Sequence, residues 1–414
     1  MVAPFLPDAE KLAAVRDALP ALSAGIYLNT GSAGPLPAET AAAMAELTDY
    51  ELRLGRSHQD YFDAFLERLA EARGAVAAVI GADVDSVAIG HSASQAMNLA
   101  VNSVDLRPGD RIVTTSGEHA GGLGPVVMAG RRFGAEVVAA GIGDGGDDER
   151  TIAALDAAIV PGTRLVALSH VLWTTGARLP IRAIAELAHA RGAVVAVDGA
   201  QAAGAIPVSV ADLGVDYYAL SGQKWLLGPE GTGALWISPD VFDRSLPSVA
   251  SWFSFERITS PTDAVLWPDA RRFDDTNYYK PGVVGLARSC GWLSMYVGLP
   301  WIYDRGEAMA ARTAARLAAI PGVELLTPPD RMATLVTFRI DGWTAQAALD
   351  ELASRTFAVA RTIPVLDAIR LSVGFFTTEA EIERVASTVE LIAAHSPVSL
   401  PRRARLTILG EDDG

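Results

Sequence analysis

The stretch from Ala193 to Ile237 constrains the fold of this chain more than any other part of the sequence. It contains three short strand-like pieces, Ala193–Val197, Asp216–Leu220 and Thr232–Ile237. All three are apolar, rich in Val, Ala and Tyr, and bounded by Gly or Pro, which is typical of buried strands. We therefore expect them to lie side by side in the core of an α/β sheet.

Two charged residues follow these strands at the points where the strands should end. Asp198 comes directly after the first strand, and Lys224 comes after the turn Ser221-Gly222-Gln223 that follows the second. A charge at the end of a buried strand is costly unless it has a partner there. In open α/β sheets, ligands bind at the carboxyl edge of the strands.

A carboxylate and an amine in this arrangement suit pyridoxal 5′-phosphate (PLP). Its aldehyde binds a lysine covalently, and an aspartate keeps its ring nitrogen protonated. The plain alternative is a helix-capping Asp198 and a surface Lys224, each of which is common singly. On the PLP interpretation, Gln201 donates to the phenolic oxygen of the ring, and Ser221 and Gln223 face the phosphate.

The segments VAVDGAQ and YYALSGQKWLLGPEGTGALW closely resemble the class V aminotransferases, in the branch with cysteine desulfurases and isopenicillin N epimerase-like enzymes. The resemblance covers nearly the whole chain. It implies an α/β protein of fold type I, a PLP-dependent transferase fold. In that fold, a mostly parallel large-domain sheet has helices on both faces, and a smaller α+β domain follows. It also implies a homodimer with shared active sites.

The length of 414 residues suits two domains. Strand and helix patterns alternate through the first part of the chain, which favours a parallel sheet with right-handed crossovers. We predict four parts: an N-terminal segment packing with the small domain, a large PLP-binding domain, a small C-terminal domain and a tail. Their bounds are 1–25, 26–285, 286–396 and 397–414.

The composition excludes several functional classes. The formal net charge of −15 offers no basis for binding nucleic acid or an anionic membrane. The single cysteine, Cys290, allows no disulfide framework, and the scattered histidines suggest no metal site. The first twenty residues are too charged for a signal peptide, and no apolar run is long enough to cross a membrane. We expect a soluble cytoplasmic protein.

Two further loops are candidates for holding the cofactor. Small residues open a helix directly after the strand Val87–Ile89, and helix amino termini bind phosphate, so we assign phosphate binding to Ser94 and the backbone of Ala93. Such a turn alone is usually just a helix cap. The family stacks an aromatic side chain on the PLP ring after the next strand. His119 takes that role by resemblance, the alternative being a solvent-facing loop histidine.

The family resemblance also supplies candidate substrate contacts. The segment around Arg370 resembles the motif whose arginine clamps the substrate carboxylate, for which a guanidinium gives two parallel hydrogen bonds. Desulfurases have Asn near the position of Trp173, which here offers a flat apolar wall and favours a larger substrate, unless it only packs in the core. Asn29 and Ser32 lie in a Gly/Pro loop that borders the substrate side in the family.

Thr276 is the last candidate, because the family places a threonine near here that crosses to the phosphate of the neighbouring subunit. Thr276 matches by residue type but is one position off by spacing, and Asn277 is the competitor. If the match holds, the enzyme is at least a dimer.

The reaction is inferred by resemblance and subtraction. Cysteine desulfurases carry a mobile nucleophilic cysteine shortly before the clamp arginine, but the corresponding loop 356–364 has none. We therefore expect C–S bond cleavage in an S-substituted cysteine by β-elimination. The alternatives are a transaminase, an epimerase or a decarboxylating relative acting on a small amino-acid metabolite. More remotely, the chain is a binding subunit that has lost catalysis, against which the intact Asp198, Lys224 and Arg370 argue.

Overall fold

The computed structural model describes residues 6–401, which form two main sheets with helices packed around them. The helices are α1 Asp8–Asp17, α2 Ala38–Leu54, α3 Gln59–Ile80, α4 Ala93–Asn102, α5 Ala120–Phe133, α6 Asp148–Ala158, α7 Ile181–His189, α8 Val210–Leu213, α9 Lys280–Gly291, α10 Leu299–Ala318, α11 Ala345–Thr356 and α12 Glu379–Ala393. The strands are β1 Ile26–Tyr27, β2 Val87–Gly90, β3 Arg111–Thr115, β4 Glu136–Ala140, β5 Thr163–Ser169, β6 Val194–Asp198, β7 Tyr217–Ser221, β8 Gly233–Ile237, β9 Phe255–Ser260, β10 Asp263–Leu266, β11 Val323–Leu325, β12 Leu335–Ile340, β13 Ala358–Val359, β14 Arg361–Ile363 and β15 Ala368–Ser372.

The large sheet has the strand order β2-β8-β7-β6-β5-β3-β4. Strand β8 runs antiparallel to both of its neighbours, and the other pairs are parallel. Side chains of β6 alternate between two apolar clusters: Val195 and Val197 pack with Ile184 of α7, whereas Ala196 packs with Met97 of α4. Helices therefore cover both faces, and the predicted α/β fold with a mostly parallel sheet is confirmed.

The central strands end together at one edge of the large sheet. Ser169 at the end of β5 is paired with Asp198 at the end of β6, and Asp198 is paired with Ala219 near the end of β7. The reversed strand β8 begins at the same edge with Gly233. A Cβ there would lie 2.6 Å from the Leu220 carbonyl oxygen, so glycine is needed for this close approach.

The small sheet has the order β11-β12-β15-β14 with antiparallel pairing throughout. The loop that follows β5 ties it to the large sheet. The amide of Ala333 donates to the Gly176 carbonyl at 3.0 Å, and Thr337 Oγ1 donates to the Thr174 carbonyl at 2.7 Å. These bonds hold β12 and β15 over the carboxyl edge of the large sheet.

Two elements of the second half were not expected, and two predictions lie outside what the structure tests. The stretch 245–280 contains the hairpin of β9 and β10, and a π-helix at Trp292–Val297 separates α9 from α10. The domain bounds stay a prediction, and the tail is described only as far as residue 401. Within residues 6–401, every helix is too short or too polar to cross a membrane.

Candidate active site

Five of the predicted site residues line one small cavity at the carboxyl edge of the large sheet. They are His119, Trp173, Asp198, Gln201 and Lys224. The chain brings them together from four separate loops because each loop follows a strand that ends at this edge.

Asp198 is buried at the end of β6. Its Oδ1 accepts a hydrogen bond from the Ala200 amide at 3.0 Å. On its other side lies Gly122 in the first turn of α5, where a Cβ would come within 3.2 Å of Asp198 Oδ2. The positive end of the α5 dipole therefore lies beside this carboxylate.

Lys224 lies in the turn after β7 and shares the cavity with Asp198. Burial lowers the pKa of the Lys224 ammonium, and the charge of Asp198 partly opposes this effect. Two further cations, Arg370 and Arg361, lower the pKa as well. The side chain is therefore deprotonated more readily than a surface lysine, which suits a nucleophilic amine or a base.

His119 is the residue that caps the amino terminus of α5, with its Nδ1 accepting a hydrogen bond from the Gly121 amide at 3.0 Å. Burial and the charge of Lys224 lower the pKa of the imidazole, which agrees with a neutral ring whose Nδ1 is an acceptor. The ring meets Trp173 edge to face, with centroids 5.2 Å apart at 85°. His119 and Trp173 thus form two walls of the cavity.

Glu118 is a residue that sequence reasoning missed. Its carboxylate accepts hydrogen bonds from Thr115 Oγ1 at 2.5 Å and from Ser169 Oγ at 2.6 Å, at the ends of β3 and β5. Burial is the main cause that raises the Glu118 pKa to about 7, and the charge of Asp198 adds to it. Its place directly before His119 and after a strand was the available signal.

Gln201 connects three parts of the site. Its Nε2 donates to the Gly31 carbonyl at 2.8 Å, and its Oε1 accepts from Trp225 Nε1 at 2.9 Å. One amide hydrogen remains for a ligand. These bonds fix the orientation of the amide and attach the Gly/Pro loop to the turn that carries Lys224.

Ala93 and Ser94, two of the residues predicted to bind the phosphate, lie in the first turn of α4. Ser92 caps this helix by accepting from the Gln95 amide at 3.1 Å, so the amides of Ala93 and Ser94 have no partner within the helix. The exposed Ser94 hydroxyl lies against Gly121 at the start of α5. Two helix amino termini thus converge here, which favours an anion.

Ser221 and Gln223 lie in and after β7, and Ser221 pairs with Gly233 of β8, where a Cβ would come within 2.8 Å of Ser92. Ser221 is buried as the last residue of the strand. Gln223 accepts a hydrogen bond from the Gly34 amide through its main-chain oxygen at 2.7 Å. Its side-chain Oε1 is buried and has no hydrogen-bond partner within residues 6–401. The amide is therefore available to a ligand.

Thr276 lies before α9 and is not among the residues that line this cavity. Its amide donates to the carboxylate of Asp275 at 2.7 Å. Asp275 in turn faces His91, which precedes α4, at 3.9 Å. The competitor Asn277 has a φ of +60°, a left-handed conformation that asparagine tolerates. The predicted contact of Thr276 with a neighbouring subunit stays a prediction.

Arg370 in β15 is almost completely buried, with 1% of its surface exposed. Its Nη1 donates to the Trp173 carbonyl at 2.8 Å, while Nε and Nη2 have no hydrogen-bond partner within residues 6–401. Burial lowers the pKa of this guanidinium to about 9, and the nearby Arg361 contributes. The buried hydroxyl of Ser372 also lacks a partner. A carboxylate would satisfy these groups.

Asn29 and Ser32 lie on the same side of the cavity as Arg370. Asn29 forms a bridge with Ser372 of β15, and Ser32 Oγ donates to Asn29 Oδ1 at 2.9 Å. Arg361 Nη1 donates to Ser32 Oγ at 3.3 Å. Arg361 was not predicted, although a lone arginine in the apolar run before Arg370 is a visible signal.

These residues fit PLP. A buried carboxylate, an amine of lowered pKa and an aromatic side chain line one cavity, and helix amino termini with free amides lie beside it. Across the cavity, the unpartnered donors of Arg370 and Ser372 offer a place for a carboxylate. This donor set fits PLP together with a ligand that carries a carboxylate.

Sequence comparison agrees with this class. The family model "Aminotransferase class-V" matches residues 26–385, so the chain belongs to the class V aminotransferase family and uses PLP. Isopenicillin N epimerase from Streptomyces clavuligerus is 32% identical over 388 residues, which covers 89% of this chain and 94% of that protein. A probable cysteine desulfurase from Methanothermobacter thermautotrophicus is 28% identical, over 92% of this chain and 97% of that one.

Solved structures give the same result at the level of fold. The cystine C–S lyase C-DES, in complex with its product cysteine persulfide, has a TM-score of 0.84 at 27% identity and covers 90% of this chain and 99% of its own. A C-DES mutant with glycine covalently linked to its PLP cofactor has a TM-score of 0.85, also at 27% identity, covering 93% and 99%. The protein is therefore a PLP enzyme of fold type I.

Proposed function

We propose that this protein is a PLP-dependent C–S β-lyase acting on an S-substituted cysteine, without a persulfide-forming cysteine. The observation that carries this proposal is the state of Cys290, the single cysteine in the sequence. It is fully buried inside α9, and burial raises the pKa of its thiol to about 12. A buried thiol of this pKa does not take up sulfur, because the thiolate is the nucleophile.

The roles of the residues follow from their chemistry. Bound PLP supplies an electron-withdrawing ring that acidifies the proton on the substrate Cα. Asp198 would hold the ring nitrogen, His119 would cover the ring, and Arg370 would bind the α-carboxylate through its unpartnered Nε and Nη2. Lys224, with its lowered pKa, would bind the cofactor aldehyde and would serve as the base for the proton on Cα.

The atoms and electrons of this elimination balance without an oxidant. Lys224 Nζ accepts the Cα proton, the C–S bond breaks with its electron pair on sulfur, and the sulfur leaves as a thiolate that is protonated to the thiol. The remaining three-carbon enamine takes up water and yields pyruvate and ammonia. Trp173 provides a flat wall beside the site that suits a sulfur substituent larger than hydrogen.

The other supporting fact is the fold of C-DES, a protein described as a cystine C–S lyase. Epimerisation is the second candidate, and the 32% identity with isopenicillin N epimerase favours it. Both reactions begin with removal of the same proton. In elimination a leaving group then departs from Cβ, whereas in epimerisation and in transamination none does.

The proposal includes a homodimer that shares its active sites and works in the cytoplasm. Large apolar side chains are exposed on α2, shortly before β9 and directly before α9, which supports a covered surface in an assembly. They include Leu52, Leu54, Trp252 and Tyr279, between 56% and 83% exposed.

The test is to incubate the PLP-loaded enzyme with S-alkyl cysteines and to measure pyruvate, ammonia and free thiol in the same tube. Equal amounts of the three products are expected. Recovery of the substrate with its C–S bond intact and its Cα configuration inverted would show that the enzyme is an epimerase and not a lyase. If the yellow colour is lost and a keto acid forms without free thiol, the enzyme is a transaminase and not a lyase. A purified protein that gains no colour with added PLP would indicate a non-catalytic subunit.

Cys290→Ala is the matched control for the sulfur pathway. A β-lyase keeps its turnover in this variant, because no thiol of the protein takes part. A loss of activity in a variant that folds and binds PLP normally would show that a persulfide on Cys290 is required. That result would move the reaction to the desulfurase type.

A further inference from the structure

Arg361 lies directly opposite Arg370 in the small sheet. The two residues are register partners in the antiparallel pair of β14 and β15, so their side chains share one face. Arg361 also lowers the pKa values of Lys224, His119 and Arg370, which shows that its charge acts on the cavity. Like charges placed opposite each other destabilise a sheet, so this pair needs a compensating anion.

No acidic side chain of the described chain supplies that anion. Within residues 6–401, neither Arg361 nor Arg370 has an Asp or Glu oxygen within 4.0 Å, whereas Arg16, Arg73 and Arg355 each have one. Arg361 donates to Ser32 Oγ and to the Thr362 carbonyl, and its guanidinium lies 5.8 Å from the centroid of the Trp173 ring. The cavity therefore carries excess positive charge.

The two arginines occupy different depths. Arg370 is 1% exposed and fixed on the main-chain oxygen of Trp173. Arg361 is only partly buried and lies against the Trp173 ring and the Ser32 loop. The buried donors of Arg370 suffice for one α-carboxylate, which leaves Arg361 for an anion at the outer end of the substrate.

We infer that the substrate side chain ends in a carboxylate, and that Arg361 is the residue that selects it. This inference rests on the proposed function only in placing the carboxylate on the sulfur substituent. A guanidinium and a carboxylate form a charge-assisted, bidentate pair, and Trp173 would hold the connecting methylene groups against its ring.

The experiment compares two substrates that differ by one charge. S-carboxymethylcysteine and S-carbamoylmethylcysteine have nearly the same shape, but only the first carries a second carboxylate. We expect the PLP-loaded enzyme to prefer the acid in kcat/KM by about 10- to 100-fold, as for a hydrogen bond to a charged group. No preference would overturn the inference.

Variants of Arg361 assign the effect to this residue. Arg361→Gln is expected to lower kcat/KM much more for the acid than for the amide and so to abolish the preference. Arg361→Lys keeps the positive charge but loses the two parallel hydrogen bonds of the guanidinium, so it is expected to retain part of the preference. The control Arg182→Gln removes an exposed arginine of α7 and should change neither value. An equal loss for acid and amide in Arg361→Gln would overturn the inference.

A binding measurement separates this inference from the proposed reaction. In 2-aminoadipate a methylene replaces the sulfur of S-carboxymethylcysteine, so elimination is impossible. Calorimetry with this acid and with its side-chain amide should show the same 10- to 100-fold preference, about 1.4–2.7 kcal/mol, and its loss in Arg361→Gln. If the preference persists while no substrate yields pyruvate and thiol, the lyase proposal fails and the role of Arg361 stands. Equal affinity for both ligands would overturn that role.

Discussion

At the scale of single residues, Lys224 is the group on which the proposed chemistry most depends. The sequence has only three lysines, Lys11, Lys224 and Lys280. Borohydride reduction of the PLP-loaded protein should therefore fix the cofactor on a single peptide, the one that contains Lys224. Lys224→Ala should lose both this label and at least about 10³-fold in kcat, because the covalent anchor and the base are removed together.

Lys280→Ala is the control for this prediction. Lys280 lies over the Tyr61 ring at 4.0 Å, away from the cavity residues. The Lys280→Ala variant should keep the label on Lys224 and most of the activity. Label found on Lys11 or Lys280 in the unaltered protein would contradict the assignment.

Because of the environment of Glu118, we expect the free energy of unfolding to depend on pH in a definite direction. The pKa in the folded protein is raised from 4.5 to about 7, chiefly by burial. The folded state then binds the proton more tightly than the unfolded state. This stabilisation is complete below pH 4.5 and is lost as the pH rises through 7. The upper bound of the loss is about 3 kcal/mol.

Glu118→Gln removes the titrating group but can keep hydrogen bonds to Thr115 and Ser169, since hydroxyls both donate and accept. Denaturant unfolding between pH 4.5 and 8 should show the unaltered protein losing stability relative to this variant as the pH rises. Glu67→Gln, on the exposed face of α3, is the control and should show a constant difference. A constant difference for Glu118→Gln as well would refute the buried, protonated state.

At the scale of elements, the loop after β5 holds the two sheets together at Gly176. This glycine has a φ of +77°, and a Cβ there would lie 2.5 Å from the main-chain oxygen of Leu335 in β12. Gly176→Ala should therefore push β12 and β15 away from the large sheet. Because Arg370 is bonded to the same loop at Trp173, the position of the carboxylate site should change with it.

Gly162→Ala is a matched variant, because Gly162 has a φ of +93° and nothing within 4 Å of the added Cβ. Both substitutions carry the strain of a left-handed alanine. Only Gly176→Ala adds the overlap, which should cost about 1–3 kcal/mol more in the free energy of unfolding. It should also lower kcat/KM by about tenfold or more. Similar losses in both variants would contradict this account of the contact.

The elements of the large sheet could be predicted from the sequence because their signals are local. Apolar strands bounded by Gly or Pro gave Val194–Asp198 and Tyr217–Ser221 to within a residue at each end. The hairpin of β9 and β10 was missed because its side chains are largely exposed and show no clear apolar alternation. The reversal of β8 was not foreseen either, since strand direction depends on pairing across the sheet.

The same distinction applies to the site. Residues that end a strand, such as Asp198, or that follow its turn, such as Lys224, could be found from position alone. Arg361 and Glu118 have only weak positional signals, because their importance lies in contacts between distant segments. Arg361 becomes notable only when β14 pairs with β15, and Glu118 only when β3 and β5 end beside each other.

At the scale of the whole molecule, the chain places nearly all of its candidate site residues around one cavity. Thr276 lies before α9 and, unlike the loop residues that follow β3, β5, β6 and β7, does not line this cavity. In the proposed homodimer, Thr276 completes the phosphate site of the partner. Thr276→Ala should then weaken PLP binding by about tenfold, as expected for one hydrogen bond to a charged group.

Mixing two impaired variants tests this arrangement. A heterodimer of Lys224→Ala with Thr276→Ala subunits would contain one site in which both residues are intact, provided that Thr276 acts across the interface. Random reassociation makes half of the dimers mixed, so activity should recover to about a quarter of that of the unaltered enzyme at limiting PLP. If Thr276 serves its own subunit, every site in the mixture lacks one of the two residues. Activity then stays at the average of the separate variants, and the shared-site dimer is refuted.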